Sequence, residues 1–169
     1  MGLLTDIESA ISDADYNVGL LNELKYIPTS VAGYSMDQVS DDTWSFKNIW
    51  QCPNVLNKLN KQLSTKYIEV LIQVNVRFIN TREVGFGLGI KDRVHAKLNI
   101  FLKDEYSEQC CIYTYCSKYP GRPNVSLFAE NIFSMIFHNK IVKIFKDYDS
   151  FYEMANEYIQ EDLYSRFTN

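Results

Sequence analysis

From Ile68 to Phe78 apolar and polar positions alternate without a break. Ile68, Val70, Ile72, Val74, Val76 and Phe78 share one phase, with Glu69, Leu71, Gln73, Asn75, Arg77 and Ile79 between them. A strand points successive side chains to opposite faces, so the pattern predicts a strand with one buried face. Val94, Ala96, Leu98, Ile100 and Leu102 repeat it over about 94–103, and a further strand is expected at about 109–116. Between the first two lies Val84-Gly85-Phe86-Gly87-Leu88-Gly89-Ile90. Read as a strand over about 83–90, it carries apolar side chains on one face and bare glycine backbone on the other. The links are short, which predicts an antiparallel meander of four strands.

The flanks have a helical period. Thr5-x-x-Glu8 reads as a capping box, and Ile7, Ile11, Ala14, Val18, Leu21 and Leu24 follow at helical spacing. That helix stops before Pro28, because a residue preceding proline is pushed out of helical geometry. Residues 28–50 read as a loop pinned to the core by Trp44, Phe46 and Trp50. Pro53 opens a short helix with Leu56, Leu59 and Leu63 on one side. After a loop at Pro120-Gly121-Arg122-Pro123, a helix is expected over Leu127 to Phe137 and a short strand over Ile141 to Phe145. Ser150-x-x-Glu153 opens a last helix with Phe151, Met154, Ala155, Tyr158, Ile159 and Leu163 inward. The expected fold is a single α+β domain over residues 1–169. It is a four-stranded antiparallel meander packed by N- and C-terminal helices, with a short fifth strand.

Register follows from keeping apolar sets together. Pairing Ile90 with Val94 and Phe78 with Val84 sets three rows across the other face: Gln73–Gly89–His95, Asn75–Gly87–Lys97 and Arg77–Gly85–Asn99. The expected site is thus a trough floored by glycine and walled by amides, two cations and a histidine. Donors predominate, so it suits a carboxylate, a phosphate or a protein loop. The competing explanations are structural: glycine under a covering helix, strong twist or a bulge, or a solvated face. The run is not a dinucleotide fingerprint, since the Gly-x-Gly-x-x-Gly spacing is missing.

Composition narrows the function classes. The 169 residues include 12 Tyr and 10 Phe, which argues for a packed globule. Net charge is −4, the wrong sign for a general nucleic-acid binder. Residues 58–103 hold nine Lys or Arg against Glu69, Glu83 and Asp92, between acidic ends. Such unevenness steers charged partners. Glu153, Glu157 and Glu161 form a second, acidic stripe on the last helix, read either as a solvated face or as a surface for a basic partner. No apolar run reaches the roughly 20 residues of a membrane helix, and no basic-then-apolar leader opens the chain. A cytoplasmic location is expected.

Cys52, Cys110, Cys111 and Cys116 show no Cys-x-x-Cys spacing, so free, buried thiols are expected and no metal site. No nucleophile elbow appears, His138 is placed at a helix end, and Asp41-Asp42 and Asp104-Glu105 read as turns. Tyr106, Tyr113, Tyr115 and Tyr119 suit either a recognition surface or the outer core. No catalytic residue and no cofactor are expected. The reading is a small acidic protein-binding module, an inhibitor or immunity/anti-defence-type protein whose partner is another protein. The alternatives are a small-ligand or nucleotide-sensing domain using the glycine face, or an enzyme with a dispersed site using His95. The gross order of elements resembles small acidic secretion chaperones, a likeness of architecture with no motif behind it.

Overall fold

The computed structural model describes residues 18–80, 92–120 and 133–168. Helix α1 covers 18–25, and a single 3-10 turn at Val31–Gly33 leads into the sheet. Strands β1 (Ser35–Ser40) and β2 (Thr43–Trp50) form a hairpin, followed by helix α2 (Pro53–Leu63). Strands β3 (Tyr67–Asn80), β4 (Asp92–Asp104) and β5 (Gln109–Pro120) come next. A π-helical turn at Phe133–Phe137 runs into α3 (His138–Ile144), and α4 (Tyr148–Thr168) ends the described chain. The five strands lie in the order β1-β2-β3-β4-β5, all antiparallel. The α+β class is as expected, with helices before and after one antiparallel sheet.

Strand membership differs from expectation in three places. Residues 35–50 form a hairpin, not a loop. Trp44, Phe46 and Trp50 still face the core, but they do so at strand period. Ile141 to Phe145 is not a strand. Phe133, Phe137, Ile141 and Phe145 recur every four residues and are all buried, so they form one helical ridge. Third, β3 and β4 pair directly, with Phe78 opposite Val94 and Val70 opposite Leu102. No strand lies between them. Gly85, Gly87 and Gly89 are outside the described residues.

One face of the sheet makes the core. Val70, Ile72, Val74 and Val76 of β3, with Val94, Ala96, Leu98, Ile100 and Leu102 of β4, are buried against Val55, Leu56 and Leu59 of α2 and Phe151, Ala155 and Ile159 of α4. In α1 Leu24 is buried as expected, but Leu20 takes the other buried position, and Val18 and Leu21 are exposed. Ile68 is exposed as well, next to a register shift between Tyr67 and Glu69.

Local chemistry fixes the ends. The last helix is capped by Asp147, whose Oδ1 accepts the Ser150 N–H at 2.7 Å, so Ser150 sits inside the first turn and not at the cap. Asn60 ties the end of α2 to β3. Its Nδ2 donates to the Tyr67 carbonyl at 2.8 Å and its Oδ1 accepts the Tyr67 N–H at 2.9 Å. Lys58 lies 4.1 Å from the centre of the Tyr148 ring, linking α2 to α4. Among the described residues no helix is long and apolar enough to cross a membrane.

Candidate functional site

Opposite residues of an antiparallel pair point to the same side, so the register assigns every position to a face. The outer face, away from the core, carries all six non-glycine residues of the expected site. Gln73, Asn75 and Arg77 sit on β3 and His95, Lys97 and Asn99 on β4. Their pairing differs from the expected rows. Arg77 faces His95, Asn75 faces Lys97 and Gln73 faces Asn99. A strand inserted between β3 and β4 would make those two run parallel and pair Gln73 with His95. Direct antiparallel pairing exchanges the ends.

The rows continue onto β1 and β2, where a loop is expected, and along β5 past residue 116. The first row is Thr43, Arg77, His95 and Lys118. The second is Asp37, Ser45, Asn75, Lys97 and Cys116. The third is Ser35, Lys47, Gln73, Asn99 and Thr114. The fourth is apolar: Ile49, Leu71, Phe101 and Cys111. The face is therefore graded, cationic at one end, amide-rich in the middle and apolar at the other end.

Lys47, Arg77, Lys97 and Lys118 are exposed, and Gln73, Asn75 and His95 are half-buried. The small polar groups between them are sealed by neighbours. Gln73 Nε2 donates to Ser45 Oγ at 3.1 Å, and Thr114 Oγ1 donates to Asn99 Oδ1 at 2.9 Å. Ser45 and Asn99 are the buried polar residues of the described chain, and each accepts one of these bonds. Arg77 Nε lies 3.6 Å from Asp42 Oδ2, an exposed pair. Asp42 also accepts from Ser40 Oγ at 2.8 Å and Thr43 Oγ1 at 2.9 Å. These hydroxyls, with a smaller pull from Arg77, hold its carboxyl below the usual carboxylate range.

The remaining candidates are dispersed. Glu153, Glu157 and Glu161 are exposed on α4. His138 is exposed where the π-helical turn passes into α3, so it does not stand at a helix C-terminus. Asp41-Asp42 and Asp104-Glu105 do lie in turns, and Asp104 Oδ1 accepts the N–H groups of Tyr106 and Glu108 at 2.9 Å. Cys52 and Cys110 are buried thiols, but Cys111 and Cys116 are exposed on the outer face. Tyr113 and Tyr115 pack on the core and Tyr106 is exposed. Among the described residues no three His, Cys, Asp or Glu side chains converge. An open groove of about 500 Å³ runs beside Glu23, Tyr26, Pro28, Ile49 and Trp50, reaching the apolar end of the outer face.

Compared with protein-family models, curated proteins and solved structures, the chain matches none.

Proposed function

We propose that this chain is a protein-binding module of the inhibitor or immunity type, which presents the outer face of its sheet to a partner protein. The observation that carries the reading is the alignment, on one broad face, of exposed Lys47, Arg77, Lys97 and Lys118 around the amides of Gln73 and Asn75. A sheet spaces such groups about 4.8 Å apart between strands, which suits an extended macromolecular surface more than an enclosed small molecule. Cations over a half-buried amide layer favour carboxylates, and charge complementarity speeds encounter more than it tightens the complex.

The test is affinity capture from the native cell by the wild-type chain and by Lys97→Glu/Lys118→Glu. A stoichiometric protein held by the wild type and lost from the variant, reproduced with that protein purified, supports the reading. A partner captured equally by both puts recognition elsewhere on the molecule. No protein partner, with a metabolite retained in native mass spectrometry, turns the reading to the small-ligand alternative.

A further inference from the structure

The acidic stripe on α4 and the graded outer face carry complementary groups in the same order. Glu153, Glu157 and Glu161 are exposed, and Tyr164 is 72% exposed. At 100° per residue Glu153, Glu157 and Tyr164 fall within about 40° of arc, with Glu161 about 40° further round. They form one outward ridge, because Phe151, Ala155 and Ile159 bury the opposite side. Along this ridge carboxylates recur every about 6 Å and end on an aromatic ring. Along the outer face of the sheet, rows recur every about 7 Å, two residues of strand apart.

The sequence of chemistries is the same. Arg77 and Lys118 stand in the first row, Lys97 in the second, Lys47 in the third, and Leu71 and Phe101 in the fourth. A helix laid along the strands would set Glu153 against the first row, Glu157 against Lys97 and Glu161 near Lys47. Tyr164 would then meet Leu71 and Phe101. From Glu153 to Tyr164 is about 17 Å of helix, and from Arg77 to Leu71 about 20 Å of strand.

We infer that the outer sheet face also receives the α4 ridge of a second copy of this chain. The inference rests on the reading of this face as a recognition surface, and it adds a form of control. Within one molecule the ridge and the face point away from each other, since the core lies between them. One copy therefore cannot satisfy its own face. Two copies cannot satisfy both faces about a two-fold axis, so the contact is heterologous and builds rings or open chains. Exposed ion pairs are weak and salt-sensitive, so the assembly forms at high concentration and yields the face to a tighter partner.

Sedimentation velocity of the full chain tests this. At about 50 mM salt the mean mass rises with concentration, and at about 500 mM the rise is lost. Two variants confined to exposed residues separate the surfaces: Glu153→Lys/Glu157→Lys and Lys97→Glu/Lys118→Glu. Each alone associates about tenfold more weakly or not at all; mixed in equal amounts they associate again, because both helix-to-sheet contacts regain opposite charges. A chain monomeric at low salt up to its solubility limit overturns the inference. So does association that high salt leaves unchanged, that survives either variant, or that mixing fails to restore. Partner capture separates the two readings. The helix variant keeps an intact sheet face, so it holds the partner while losing self-association. Self-association in a chain that captures no protein sinks the partner reading and leaves this one standing.

Discussion

Glu23 on α1 caps a helix to which it does not belong: its Oε2 accepts the Val55 N–H in the first turn of α2 at 2.8 Å. Oε1 accepts the neighbouring Asn54 N–H at 2.9 Å. The position before Pro53 is Cys52, whose side chain makes no capping bond, so two orphan donors of α2 are met from 31 and 32 residues upstream. A carboxylate there also meets the positive end of the helix. Glu23→Ala is expected to cost about 1–2 kcal/mol, read as a shift in the urea midpoint at unchanged slope. Glu23→Gln keeps one acceptor and loses the charge, so it falls between. A neutral Glu23→Ala would mean that α1 docks on apolar contacts alone.

How far the fold could be read in advance depended on period. In β3 and β4 the alternation is long, and every inward position from Val94 to Leu102 is buried. The same alternation exists over Thr43 to Trp50, where Trp44 and Phe46 face in and Ser45 and Lys47 face out. It is interrupted by Asn48 at an inward position, and eight residues beside Asp41-Asp42 read easily as loop. Ile141 to Phe145 failed because five apolar-rich residues fit either period; only the spacing from Phe133 and Phe137 decides it. The site shows a different limit. Parity within a strand survives any change of neighbour, so Gln73, Asn75, Arg77, His95, Lys97 and Asn99 share one face whichever strand lies beside them. Which of them stand opposite each other depends on the neighbouring strand, and the glycine run misled that assignment.

The helical ridge gives a direct check on residues 133–145. Phe137 and Ile141 are fully buried, and Val142 is 44% exposed. Phe137→Ala is expected to cost about 3–5 kcal/mol and Ile141→Ala about 2–5 kcal/mol, with Val142→Ala within about 0.5 kcal/mol of neutral. Denaturant titrations of the three variants decide this. A cost at Val142 as large as at Ile141 would contradict the helical assignment.

Acid should weaken the fold through two carboxyls. Asp147 is held below the usual carboxylate range, first by the Ser150 N–H and then by the Ser150 hydroxyl. Asp42 is held down by Ser40 and Thr43. The unfolded chain therefore takes up these protons at higher pH than the folded chain. Their contribution is complete above about pH 5 and is lost as pH falls through the depressed folded values. Urea midpoints at pH 7 and pH 3 should differ less for Asp42→Asn/Asp147→Asn than for the wild type. An equal drop in both would assign the acid sensitivity to other groups.

The openness of the outer face can be measured with its own cysteines. Cys116 stands in the row of Lys97 and Asn75, Cys111 in the row of Leu71 and Phe101, and both are exposed. Cys52 is 1% exposed, and burial, with a lesser push from the Glu23 carboxylate, raises its thiol well above the usual range. Cys110 is buried beside Leu102. The thiolate is the reactive form, so access and ionisation act together. A maleimide pulse on the folded chain should label Cys111 and Cys116 first, and Cys52 and Cys110 only as the chain opens, with peptide mapping to locate the adducts. Addition of partner protein, or of the chain itself at high concentration, should then slow Cys116 and Cys111, which share that face. A Cys116 that resists labelling in the dilute, unliganded chain would mean that the face is covered from within, and both proposed uses of it would fail together.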